Sequence, residues 1–64
     1  MDRLANNIAR YRVERGLTLE KAAAKVGVSL MTWWRWEAGE RTPKLERLDA
    51  IAAVLGTTAQ SLLE

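Results

Sequence analysis

Few side chains in this sequence can do covalent or acid–base chemistry. His and Cys are both absent, which removes imidazole bases, thiolate nucleophiles, disulfides and redox chemistry, and a zinc site would have only carboxylates to draw on. Tyr11, Ser29 and Ser61 have no base at a useful spacing. No catalytic residue, metal or cofactor is expected, and the chain does not read as an enzyme. What remains is recognition chemistry, carried by Arg12, Arg35, Arg41, Lys44 and Glu37. A guanidinium can give two parallel hydrogen bonds to a carboxylate, a phosphate or the O6 and N7 edge of guanine. Alone on a helix surface it usually does no more than stay hydrated.

The segment that would position these groups is Leu17 to Gly39, LTLEKAAAKVGVSLMTWWRWEAG. Thr18 can cap a helix over Leu19 to Val26, where Ala, Glu and Lys lose little side-chain entropy. Gly27 stands where a left-handed residue ends a helix, Ser29 can cap a second helix from Leu30 to about Ala38, and Gly39 closes it. Two helices joined by a turn of about three residues containing Gly form a helix-turn-helix, here over residues 18–38. At about 100° per residue, Trp33, Trp36 and Glu37 fall on one side of the second helix and Met31, Arg35 and Ala38 on the other, flanked by Thr32 and Trp34. Trp33 and Trp36 are expected in the core. Ala22, Ala23 and Ala24 permit the two helices a close crossing.

Around this pair the pattern is helical throughout. Asp2 can cap a first helix running to about Arg15, with Leu4, Ile8 and Tyr11 as its apolar stripe and Ala5 and Ala9 beside it. Gly16 ends it and Leu17 folds back on the core. After a polar turn from Glu40 to Pro43, a fourth helix from Lys44 to about Leu55 carries Leu45, Leu48, Ile51, Ala52 and Leu55 at a 3.6 period. Gly56 stops that helix, and Thr57 with Gln60 has capping-box spacing for a last helix ending at Leu62 and Leu63. The expected architecture is all-α, five helices around one core, with residues 1–64 as a single domain. A chain this short buries only about 60% of its unfolded surface, so the core must be tight. No apolar run approaches the ~20 residues of a membrane span and no signal-peptide core is visible, so a soluble, unexported, cytoplasmic protein is expected. The net charge of +2 permits nucleic acid without requiring it. Arg35, Arg41 and Lys44 suggest a basic rim beside the outer face of the second helix.

These residues carry a family resemblance. Gly16-Leu17-Thr18, Ala23, Gly27-Val28-Ser29, Trp36-Glu37-x-Gly39, the turn Arg41-Thr42-Pro43, and the tail Leu55-Gly56 with Leu62-Leu63 resemble the Cro and phage-repressor (XRE-type) helix-turn-helix, a lambda-repressor-like domain. The resemblance implies sequence-specific binding of double-stranded DNA, with the helix Leu30 to Ala38 in the major groove and the N-terminus of the preceding helix at a phosphate. It implies a repressor that occupies a promoter, and admits a homodimer on DNA whose contacts would come from Gly56 to Leu63. Arg12 and Glu37 match the family's buried ion pair. Leu30, Met31, Thr32, Trp34 and Arg35 take the base-reading positions, with Arg35 the guanine reader. Thr18, Leu19, Ser29, Arg41 and Lys44 take the phosphate positions. No small-molecule ligand is implied.

The sequence departs from the family where Leu19 replaces the usual phosphate-binding Gln, which leaves backbone N–H groups and the Thr18 hydroxyl for that contact. Leu30 and Met31 stand where polar readers are common. Apolar groups can still read thymine through its methyl, though Leu30 could instead tuck partly into the core. Together Leu19, Leu30, Met31 and Trp34 make the outer face unusually apolar. That fits T-rich reading, an engineered DNA binder on this scaffold, or a protein-interaction module docking through that face.

Overall fold

Residues 2–64 are described by a computed structural model, and they form five helices and no strand. These are α1 (Arg3–Glu14), α2 (Leu19–Val26), α3 (Leu30–Ala38), α4 (Leu45–Leu55) and α5 (Ala59–Leu63). Four begin at a side-chain cap: Asp2, Thr18, Ser29 and Thr58 each accept the backbone N–H three residues on, at 3.1–3.2 Å. Such caps satisfy helix N–H groups that have no carbonyl to reach.

The helix ends explain the lengths. Gly27 has φ +87°, and the N–H of Val28 returns to the carbonyl of Ala23 at 3.0 Å. This closure lets α2 stop within a single residue and turn the chain into α3. The same bond, reaching five residues back, closes α1, α3 and α4 from Leu17, Glu40 and Thr57. A Cβ on Gly27 would meet nothing within 4 Å, so its substitution tests conformation alone. Gly27→Ala is expected to lower stability by about 1–2 kcal/mol, the penalty of a left-handed L-residue, with Gly27→Asn costing less. Urea denaturation measures both; equal stability of Ala and Gly variants would remove the turn from the account.

The core is drawn from all five helices: Leu4 and Ile8 of α1, Ala22 and Ala23 of α2, Trp33 and Trp36 of α3, Leu48, Ile51, Ala52 and Leu55 of α4, and Leu62 of α5. Tyr11 and Leu17 pack against its edge. Ala22 and Ala23 are buried where α2 meets α3 and α4, and small side chains there let the axes approach. At the far end α5 is tied to α1 by the Asn7 amide, which donates to the Leu62 carbonyl at 2.9 Å.

α1 ends at Glu14 with Arg15 as its cap, within a residue of the expected end. Three details differ from the sequence expectation. α4 begins at Leu45 rather than Lys44, and Leu45 is 79% exposed instead of joining the apolar stripe. The first turn of α4 projects past the core while Pro43, ahead of it, is buried. The cap of α5 is Thr58, not Thr57: the Thr58 oxygen accepts the Ser61 N–H, while Thr57 belongs to the closure of α4, its N–H on the Ala52 carbonyl. Leu63 is exposed, and α5 is seated on the core by the buried Leu62 with Ala59 at its edge.

Candidate functional site

The site is built outward from the inner side of α3. Trp33 is wholly buried and packs at 5.5 Å, centroid to centroid, on Trp36 with the rings tilted by 56°. Such tilted pairs add to the apolar burial of two large side chains. One turn on from Trp33, Glu37 is held from both directions. Arg12 of α1 donates to its two carboxylate oxygens at 2.5 and 3.2 Å, and the Trp33 indole N–H donates at 2.6 Å. Arg12 also donates to the Leu17 carbonyl at 2.8 Å. One carboxylate thus joins α1, the α1–α2 turn and α3, and no polar side-chain atom of this cluster is left buried without a partner. The Trp33 contact was not anticipated, although the interval of four residues between Trp33 and Glu37 placed them on one face.

With its inner side fixed, α3 turns the other side outward. Met31, Arg35 and Ala38 are exposed, Trp34 is 44% exposed and Thr32 is half-buried. Leu30 is 47% exposed, so the alternative that it tucks into the core is corrected: it lies in the first turn of α3, ahead of Trp33 and outside the core cluster. Leu19, in contrast, packs partly against the core from the first turn of α2. Leu19, Leu30, Met31 and Trp34 then line an open apolar groove of about 530 Å³, with Ser29 its one polar member.

On the other flank lies a recess of about 420 Å³ with Thr32 and Arg35 of α3 on one wall and Arg41, Lys44 and Arg47 on the other, accompanied by Glu46. Among the described residues the Arg12–Glu37 contact is the only ion pair, so all four of these cations are uncompensated by a salt bridge. Arg47 is absent from the sequence expectation. Its spacing of three from Lys44 in the first turn of α4 is the signal that could have found it.

The remaining positions sit at helix starts. The Thr18 oxygen accepts from the Lys21 N–H, and the N–H groups of Leu19 and Glu20 precede the first intrahelical bond of α2. The exposed Glu20 carboxylate shares that end and opposes an anion there. The Ser29 oxygen accepts the Thr32 N–H and its hydroxyl donates to the Thr32 oxygen, so this side chain is already occupied locally. A larger depression, about 680 Å³, opens on residues of α1, α2 and α4. It shares no residue with α3, and Glu14, Arg15 and Lys25 give its wall mixed charge.

The chain is similar to known proteins over almost all its length. Residues 3–64 match the helix-turn-helix domain family. The cryptic phage CTXphi transcriptional repressor RstR of Vibrio cholerae is 34% identical over 92% of this chain, and the chain spans about half (53%) of that repressor. The structure of a hypothetical transcription factor, NHTF from Neisseria, superposes with a TM-score of 0.92 at 28% identity, covering 98% of this chain and 72% of that one. SinR, a master regulator for biofilm formation solved in complex with DNA, gives 0.88 at 31% identity over 95% of this chain and 98% of its own.

Proposed function

The chain belongs to the helix-turn-helix domain family, and from that premise we propose that it binds duplex DNA sequence-specifically, lays α3 in the major groove, and represses transcription by occupying a promoter. The observation that carries this reading is the division of α3. Its inner side is locked to α1 while Met31 and Arg35 are exposed, and Arg35 shares a recess with the cations Arg41, Lys44 and Arg47, which have no salt bridge among the described residues. Base edges are read by exposed side chains of a rigid helix, and phosphates by cations flanking it. Leu30, Met31, Thr32, Trp34 and Arg35 are the base-facing set in this reading, with Arg35 pairing to guanine. Arg41, Lys44, Arg47, the Thr18 hydroxyl and the backbone at Leu19 meet phosphates, and Ser29 contributes its cap more than a free hydroxyl. Arg12 and Glu37 orient α3.

Two copies on DNA would place half-sites about one helical turn apart, and the half-exposed Leu63 of α5 is an apolar contact available to a second copy. No described helix is long and apolar enough to cross a membrane, and the reading places the protein with the chromosome, in the cytoplasm.

Selection of bound duplexes from a random pool tests the assignment, and Arg35→Ala tests the reader. The variant is expected to lose discrimination of about 1–3 kcal/mol at one base pair and none elsewhere. An unchanged enriched motif would remove Arg35 from base reading. The apolar groove favours a second reading, a protein-docking module. Salt separates them, since phosphate contacts release counterions and apolar contacts do not.

A further inference from the structure

We infer that the groove formed by Leu19, Leu30, Met31 and Trp34 reads the C5-methyl group of a pyrimidine in the major groove, so that 5-methylcytosine is accepted there as well as thymine and the affinity for a target depends on its cytosine methylation. The inference rests on the duplex-binding reading and sharpens it.

The groove has almost no hydrogen-bonding capacity. Four of its five members present hydrocarbon, thioether or indole. The fifth, Ser29, has its oxygen on the Thr32 N–H and its hydroxyl on the Thr32 side chain. The one uncommitted hydrogen-bonding group is the Trp34 indole N–H, a single donor, so the groove makes no two-point contact with a purine edge and offers no acceptor for the N4 amino group of cytosine. The one apolar feature that base edges show in the major groove is the methyl at C5. Thymine has it and unmodified cytosine lacks it; methylated cytosine regains it. The groove therefore reports the methyl, not the base. Charge decides for DNA over a protein occupant: Arg35, one turn beyond Met31, and the cations across the adjoining recess have no carboxylate partner among the described residues, and a polyanion supplies the missing charge.

The test uses a duplex taken from random-pool selection. At each pyrimidine of the enriched motif four versions are compared by fluorescence anisotropy: thymine against uracil, both opposite adenine, and 5-methylcytosine against cytosine, both opposite guanine. At the position facing the groove, each methyl is expected to tighten binding about fourfold, the worth of one buried methyl-sized group. Met31→Ala, Trp34→Ala and the near-isosteric Met31→Gln alter exposed residues, and each is expected to shrink both ratios toward one with the far-UV circular dichroism unchanged. A ratio of one at every position in the parent chain would overturn the inference while leaving duplex binding intact. Methyl ratios that persist in all three variants would assign the effect to DNA shape and overturn it equally. Failure to enrich any duplex would overturn the function on which it rests.

Discussion

Glu37→Ala is expected to remove a large share of the chain's folding free energy, about 3 kcal/mol. Removing the carboxylate takes the acceptor from the buried Trp33 indole N–H and from the half-buried Arg12 guanidinium together, leaving Arg12 only its bond to the Leu17 carbonyl. Breaking one partner of a fully buried pair costs about 3–5 kcal/mol; these two side chains keep 17% and 12% of their surface exposed, which puts the cost at the lower end, against a total stability of about 3–10 kcal/mol for a chain of this length. The pair itself adds little, because desolvation of two charges offsets most of their attraction. The double variant Arg12→Met/Glu37→Leu is therefore expected to cost less than half as much as Glu37→Ala. Glu37→Gln, which keeps an acceptor for the indole, should fall between. Urea denaturation followed by circular dichroism gives all three values. Single and double variants of equal cost would mean that the contact carries no coupling, and that α3 is held by its tryptophans alone.

The largest functional loss is expected from Arg41→Ala/Lys44→Ala/Arg47→Ala. None of the three side chains is buried or ion-paired among the described residues, so the fold and melting temperature are expected to change little. Each phosphate contact contributes about 0.9 to the slope of log affinity against log salt, so three contacts near 0.1 M salt are worth two to three orders of magnitude in affinity. The triple variant should lose that much for every duplex, specific or not, and its salt slope should flatten by nearly three. A loss confined to the preferred sequence would mean that these residues read bases. An unchanged slope would turn the recess away from the DNA.

Much of the arrangement could be read in advance because its determinants are local. Gly27 and Gly39 mark ends of α2 and α3, since a left-handed residue is needed there and few others tolerate it, and Thr18 and Ser29 mark their starts. The wheel of α3 put Trp33 and Trp36 inside and Met31 and Arg35 outside, as the burial pattern has them. What escaped depends on neighbours distant in sequence. Leu45 has the right period for the core, but in the first turn of α4 it lies beyond the core's edge and stays exposed. Thr57 and Thr58 are equally good caps as isolated residues; only the fold shows that Thr57 finishes the closure of α4 and Thr58 starts α5. Leu30 sits close to a core residue on the wheel, yet at the start of α3 the core has not begun. Arg47 enters the recess only because the turn before α4 folds toward α3.

The partition of α3 also bears on how a protein of this design can change. The tryptophans and the carboxylate that seat the helix share no position with the side chains it displays, and substitutions at displayed positions usually shift stability by no more than about 0.5 kcal/mol. On the proposed reading, mutation can explore new targets at Leu30, Met31, Trp34 and Arg35 without first recovering lost stability elsewhere, whereas change at Glu37 is costly unless Arg12 changes with it. One lineage could thus hold its scaffold nearly constant while its operators diverge.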